Sequence, residues 1–445
     1  MEPLAVGPRR ESLCAVSVNL QRLPRSFPSM PANRRNLVGL NRPELEELAR
    51  AYGQQPYRGR QLYHGLYGRL LRDFSGFTDL DRAFRKRLAR ECEIGYPTIR
   101  RDVASRDESI RYLFGLADGE TVEAVYMPWR LERRGNRRVA TPSGRKLQTP
   151  IEEDPVEADE ELRTTLCISS QAGCVLDCKF CFTGLLGARR NLAPGEIVGQ
   201  VLAMARERDL WGAPATPPAA AGTASATPTE NGHKGLGARS RVRGARTAPR
   251  VNVVLMGQGE PLLNLDAVLK VVEILADPAA CGIPLRRITI STAGIVPRIY
   301  DLSRAPVRPK LAISLNASNE EQRDALMPIN RKYPLSVLLE ACRAYPLRPR
   351  ERLTFEYVLL EGVNDSEADA ARVVRLLDGL RARVNLIPYN GGEALPYRAP
   401  PLECVQRFQR VLRDRGVPAF IRISRGQDIM AACGQLSLAG EVRAG

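Results

Sequence analysis

Three cysteines, Cys174, Cys178 and Cys181, stand in the segment CVLDCKFC at a C-x-x-x-C-x-x-C spacing. Thiolates that close on one loop suit a [4Fe-4S] cluster, which is normally held by four cysteines, so a three-cysteine loop leaves one iron open to a small molecule. S-adenosylmethionine, binding through its amino and carboxylate groups, fits that vacancy. The competing reading is a zinc knuckle built on Cys178 and Cys181. Zinc needs a closed tetrahedron, whereas the chain has no second C-x-x-C and only two histidines, His64 and His233, neither usefully spaced from the triplet. The cluster is the better fit.

The elements that must position this loop follow in a regular order. RTTLCISSQ, VNVVLMG, RRITIST, PKLAISLN, RLTFEYVLL, RVNLIPYN and AFIRIS read as strands, and LDAVLKVVEILAD, LSVLLEACRAY, EADAARVVRLLDG and LECVQRFQRVLRDRG between them have helical spacing. Alternating strands and helices with right-handed connections predict a partial parallel (β/α) barrel over 164–425. Loops at the C-terminal ends of such strands carry the chemistry. That rule brings the cysteine loop together with GQGEP (257–261), STAG (291–294), SLN (314–316) and PYN (388–390). Glycines such as Gly259 allow the backbone close to a ligand, and Glu260 is a partner for its ammonium. Ser291, Ser314 with Leu315 and Asn316, and Asn390 are candidates for its ribose and carboxylate; taken singly, each serves equally well as a cap or turn residue.

Composition bounds the rest. The 445 residues are 44% hydrophobic and 26% charged, enough for a large core with a smaller domain. No apolar run is long enough to span a bilayer and the first residues lack the apolar stretch of a secretory signal, so the expected setting is the cytoplasm, without a membrane partner. The ten cysteines are then expected to be reduced. A formal charge of +16, carried largely by arginine, points to a polyanion, with RNA as the leading candidate.

Residues 1–35 read as a loose basic tail. Residues 36–95 read as a small helical domain whose Arg58, Arg60, Arg69, Arg72, Arg82, Arg85, Lys86, Arg87 and Arg90 either face RNA or form a solvated surface. Tyr57, Tyr63 and Tyr67 either stack on bases or fill its core. Residues 96–163 open with a hairpin turning at Asp118 and Gly119 and continue as a charged connector over 129–163. The Ala-, Pro- and Gly-rich stretch 212–250 reads as a disordered insertion in the barrel, and 426–445 as a C-terminal segment.

Taken together, VEAVYMP, TLCISSQAGCVLDCKFCFTG, RNLAPGEIVGQV, LMGQGEPLLN, ISTAGIVP, MPINRKY, FEYVLLEGVND, NLIPYN and SRGQDIMAACGQL resemble the RlmN/Cfr family of radical SAM methyltransferases. The resemblance runs from about residue 36 to Gly440 apart from the two loose segments. It implies methylation of carbon 2 of an adenosine in the peptidyl transferase region of 23S rRNA and of the adenosine 3′ of the anticodon in tRNA. On it, Cys433 takes a methyl group from one S-adenosylmethionine, and a second, cleaved at the cluster, yields the radical that activates that methyl, two molecules per turnover. The resemblance also implies that Cys167 releases the product by forming a disulfide with Cys433 and that Glu123 is the proton acceptor. It implies a reducing partner of flavodoxin or ferredoxin type, and a monomer is the expected state. Two positions depart from the pattern: Asn316 stands where the family usually has His, and Phe182 stands where a smaller residue is usual. A Cfr-like methylation at carbon 8, or a non-catalytic iron-sulfur RNA-binding or assembly factor, are the alternatives.

Overall fold

The computed structural model describes residues 34–129, 163–211, 251–392, 394–422 and 424–436. The expected tail over 1–35, connector over 129–163 and insertion over 212–250 lie, apart from their edges, outside the described residues.

At the N-terminal end β1 (Arg35–Asn36) pairs in parallel with β2 (Cys92–Glu93), and α1 (Arg42–Ala51), α2 (Pro56–Tyr63) and α3 (Arg82–Glu91) lie between them. Each helix start is set locally. The Asn41 side chain accepts the Glu44 N–H while the Glu44 carboxylate accepts the Asn41 N–H, Pro56 opens α2, and Asp81 caps α3 through the Phe84 N–H. Helix α2 runs on into a π-helical turn over His64–Gly68. That turn carries Tyr67 into the core, where its hydroxyl accepts the Gly39 N–H at 2.8 Å and donates to the Leu40 carbonyl at 2.8 Å. Of the tyrosines offered for base stacking, Tyr63 at the end of α2 and Tyr67 on the π-helical turn are therefore core residues, in one cluster with Leu62, Leu66 and Phe77. Tyr57 is exposed, with the Arg58 guanidinium 4.8 Å from its ring centroid. Arg60, Arg72, Arg82, Lys86, Arg87 and Arg90 are on the surface, and Arg60 and Arg87 pair with Glu46 and Glu91.

The expected hairpin is part of an antiparallel meander of β3 (Thr98–Ala104), β4 (Ile110–Gly115) and β5 (Thr121–Trp129). It is continuous with the main sheet, for β5 pairs with β6 (Arg163–Cys167), Val125 lying opposite Cys167. A two-stranded ribbon, β7 (Gln171–Gly173) and β8 (Ala188–Asn191), brackets the cysteine loop and the short helix α4 (Phe182–Leu185). Helix α5 (Pro194–Glu207) leads on towards β9 (Val251–Leu255). There follow α6 (Leu265–Ala276), β10 (Ile288–Thr292), α7 (Val296–Arg304), β11 (Lys310–Ser314), α8 (Glu320–Leu326) and α9 (Leu335–Ala344). The chain continues through β12 (Leu353–Leu359), α10 (Glu367–Leu376), β13 (Ala382–Pro388), α11 (Leu402–Asp414) and β14 (Ala419–Ile421). In the ten-stranded sheet β14-β13-β12-β11-β10-β9-β6 are mutually parallel and β5-β4-β3 extend it antiparallel. Among the described residues β14 and β3 do not pair, so the barrel stays open.

Strand alternation separates scaffold from site, since register partners share a face. Leu166, Val253 and Ile288 form one such row and Ile313, Phe355 and Val384 another, all in the core cluster with helix residues such as Val268, Val271 and Leu275. The opposite face carries Cys167, Val254 and Thr289 in one row and Ser314, Glu356 and Asn385 in another. Replacing Tyr67 by Phe leaves the Gly39 N–H without its acceptor; urea denaturation is expected to show a loss of about 1–3 kcal/mol.

Candidate active site

The cysteine loop is fixed at several points. The Cys174 N–H donates to the Gly187 carbonyl at 2.9 Å and the Cys181 N–H to that of Cys178 at 3.0 Å. From outside the loop, the Lys179 N–H reaches the Leu326 carbonyl of α8 at 2.9 Å. All three thiols are free and partly accessible. Burial first, and then the charge of the neighbouring cysteines, pushes the Cys174 thiol up to about 12 and that of Cys178 well above its usual range. Thiols so placed ionise only when a cation compensates them, which iron supplies, so the residues fit the cluster.

GQGEP packs flat against the backbone that leads into the cysteine loop. The Gly257 N–H donates to the Ile168 carbonyl at 3.1 Å, and a Cβ on Gly257 would stand 2.7 Å from the Ser169 hydroxyl and 2.8 Å from Ile168 backbone atoms. Gly259 has φ +96°, and a Cβ there would meet the Gln171 side chain at 2.5 Å. The carboxylate of Glu260 is buried and spans two loops, accepting the Leu262 N–H at 3.0 Å and the Ala293 N–H at 2.8 Å. Burial outweighs these bonds and raises it to about 7. The Thr292 side chain also hydrogen-bonds this carboxylate, and of the four lone pairs on its two oxygens one is left for a ligand ammonium.

The remaining sequence candidates divide. Ser291 and Ser314 are half-buried at the ends of β10 and β11, with Ser314 in the row of Glu356 and Asn385. Leu315 is wholly buried and its N–H donates to the Glu356 carbonyl. Asn316 adopts φ +54°, a conformation asparagine tolerates, and its side-chain oxygen accepts the Val358 N–H at 2.9 Å while its amide nitrogen faces the Met327 sulfur at 3.4 Å. Its side chain thus braces β11 against β12. Asn390 donates to the Cys433 carbonyl at 3.3 Å and accepts from Gln427 at 2.8 Å, which ties PYN to the C-terminal segment.

That segment closes the site. Phe182 is buried, its N–H donates to the Gly434 carbonyl at 2.8 Å, and the Thr183 hydroxyl donates to that of Leu436 at 2.8 Å, so the cysteine loop and the Cys433 segment are stitched together. On the other side Ala431 and Leu436 pack with Val125 and Cys167. Cys433 has surface open to solvent, yet protein surrounds it closely enough to push its thiol up to about 11. Both hold for a side chain lining an opening. Burial, and then the Cys433 charge, pushes the Cys167 thiol up further. Glu123 lies two residues from Val125 on the same face of β5, 2% exposed, with Arg111 Nη1 3.5 Å from its Oε1. Arg111 also donates to the Met430 carbonyl. Sequence reasoning passed over Ser169, Gln171, Arg111 and Arg323; the polar run SSQ directly after an apolar strand was the one available signal.

The chain resembles known proteins over most of its length. The model of the radical SAM superfamily matches residues 238–374, and that of the ribosomal RNA large subunit methyltransferase N-terminal domain matches residues 35–94. A radical SAM methyltransferase from Sphaerobacter thermophilus is 38% identical, with a TM-score of 0.71 over 90% of this chain and 99% of that one. Fold and site therefore define a radical SAM protein, the class whose cofactors are a [4Fe-4S] cluster and S-adenosylmethionine. The probable dual-specificity RNA methyltransferase RlmN of Koribacter versatilis is 45% identical over 86% of this chain and 96% of its own length, and that of Syntrophobacter fumaroxidans 40% over 88% and 95%. The chain belongs to the RlmN family. No described helix is long and apolar enough to cross a membrane.

Gly259→Ala is expected both to strain the backbone, at about 1–3 kcal/mol, and to displace Gln171. Thermal unfolding should register the first, and calorimetric titration of the cluster-loaded protein with S-adenosylmethionine should show affinity reduced about tenfold or more.

Proposed function

We propose that this chain methylates carbon 2 of an adenosine in 23S rRNA and of the adenosine 3′ of the anticodon in tRNA, carrying the one-carbon unit on Cys433. The observation that carries the reading is the position of Cys433, sewn to the cysteine loop through Gly434 and Leu436 and packed through Ala431 and Leu436 beside Cys167. Carbon 2 of adenine is an electron-poor amidine carbon and a poor nucleophile for a polar attack on a sulfonium methyl. When bound, the cluster and S-adenosylmethionine supply the methyl group and, after one-electron reduction by a flavodoxin- or ferredoxin-type donor, a primary radical able to take a hydrogen atom.

The chain's own residues hold the carbon and move the protons. Cys433 must lose its thiol proton before its sulfur can accept a methyl, and the thiol's raised pKa makes that ionisation unfavourable at neutral pH in the free protein. The sulfonium's positive charge favours the thiolate once it is near. Glu260, Ser291, Ser314, Leu315 and Asn390 form the binding set we assign to S-adenosylmethionine, with Gly259 giving backbone access and Asn316 acting as the brace behind them. Glu123, fixed by Arg111, is the assigned acceptor of the carbon-2 proton. The radical adduct gives up one electron, which would return to the oxidised electron-transfer chain, as Glu123 takes its proton. The Cys167 thiolate then attacks the Cys433 sulfur, so that a sulfur–sulfur bond forms and the sulfur–carbon bond breaks. Its electron pair stays on the adenine-bound carbon, which takes up a proton to become the methyl group, and an external thiol reductant restores both cysteines. Residues 36–95, with their exposed arginines and Tyr57, are the part of the chain we assign to RNA contact, working as a monomer.

Nucleosides from cells that lack the native gene and express this chain should contain 2-methyladenosine, and Cys433→Ala should abolish it. Cys167→Ala should instead leave RNA covalently bound to protein, visible as a denaturation-resistant band. Methylation at carbon 8 would replace the proposal with the Cfr-type reaction, and undiminished methylation by Cys433→Ala would refute the carrier role.

A further inference from the structure

Arg323 is the bulkiest fully buried side chain among the described residues, and no carboxylate is hydrogen-bonded to it. It projects from α8, and its Nε donates to the Leu315 carbonyl at 3.2 Å. Nη2 donates to the Ala293 carbonyl at 2.7 Å and the Ser314 carbonyl at 3.2 Å, and Nη1 to the Asn330 side-chain oxygen at 2.9 Å. One guanidinium thus fastens the loops after β10 and β11, the same loops that supply Ser314 and Leu315 to the binding set. Helix α8 also receives the Lys179 N–H on the Leu326 carbonyl, so it backs directly onto the cysteine loop.

A buried guanidinium without a bonded counter-ion is costly, and a cationic neighbour favours whatever negative charge lies near it. The Lys179 N–H, one residue on from Cys178, is 2.9 Å from the Leu326 carbonyl one turn along α8 from Arg323, and Cys178 comes before Glu320, Cys342 and Asp324 among the charges felt by the guanidinium. Burial lowers the guanidinium to about 10, which still leaves it charged at neutral pH. The reduction potential of an iron-sulfur cluster depends on nearby charge, hydrogen bonding and burial, and added positive charge favours the reduced, more negative state.

We propose that Arg323 is a positioning residue with two separable effects: its hydrogen bonds set the backbone that receives S-adenosylmethionine, and its buried charge, set behind Cys178, raises the reduction potential of the cluster. The inference rests on the reading of Cys174, Cys178 and Cys181 as cluster ligands.

Potentiometric titration of the reconstituted holoenzyme with dithionite, followed by electron paramagnetic resonance, tests the charge, and calorimetric titration with S-adenosylmethionine tests the hydrogen bonds. Arg323→Gln should give a midpoint more negative than the wild type and an affinity about tenfold or more lower. Arg323→Lys keeps the charge but not the fork, so its midpoint should stay near that of the wild type while its affinity falls. Glu320→Gln leaves Arg323 in place and removes a nearby negative charge, so its midpoint should move the other way, and this variant decides the matter if Arg323→Gln does not retain a cluster. Midpoints of Arg323→Gln and Glu320→Gln equal to the wild type would overturn the electrostatic role; unchanged affinity in both Arg323 variants would overturn the other. A wild-type protein that assembles no cluster would refute the ligand reading itself.

Discussion

Parallel strands all finish on the same side of a sheet, and the chemistry of this chain depends on that constraint. Strands β6, β9, β10, β11 and β13 lead into polar segments at the same rim, although the residues come from positions as far apart as 171 and 390. Because an open parallel sheet needs helices on its outer face, the outward positions are occupied by Leu, Val, Ile and Phe, and the inward ones are left for Cys167, Ser314, Glu356 and Asn385. The scaffold and the site are thus two phases of one alternation. The rim would still be a set of loose loops were it not cross-tied, by Glu260 between the loops after β9 and β10 and by Arg323 between those after β10 and β11.

The same thiol group meets several environments within this site. Cys174, Cys178 and Cys181 sit on one loop, partly open, where burial first and then neighbouring charge raises the thiols of Cys174 and Cys178. Cys167 is packed in an apolar patch with Val125, Ala431 and Leu436, and burial first, then the Cys433 charge, keeps its thiol protonated. Cys433 lines an opening, reachable by solvent and flanked by the charges of Glu356 and Arg422. Burial and neighbours, rather than residue type, set these thiols apart, as the proposed roles of cluster ligand, resolving thiol and one-carbon carrier require.

Much of this was legible in the residues. The barrel strands and helices were readable because each carries an uninterrupted apolar stripe at its own period, and the cysteine spacing signalled the cluster loop. What escaped was set by tertiary contact. TIRRDVA, the edge strand β3, is too rich in arginine to read as a strand, and its pairing with β4 makes it one. Tyr63, on α2, and Tyr67, on the π turn that follows, left base stacking and core filling both open in sequence, and their packing with Leu62 and Leu66 decides for the core. Asn316, in a ligand-binding motif by position, spends its side chain on Val358 and Met327. Arg323, in the polar segment EEQRDAL, gives no sign in sequence that it is fully buried.

The central claim is that carbon travels through Cys433 on its way to RNA. It is tested most directly by mass spectrometry of the Cys433 peptide after the cluster-loaded protein has been incubated with S-adenosylmethionine labelled in its methyl group, without RNA and then with it. The account predicts a labelled methyl on Cys433 that is lost as label appears in the adenosine. Labelled RNA formed by a protein whose Cys433 never carries label would contradict it.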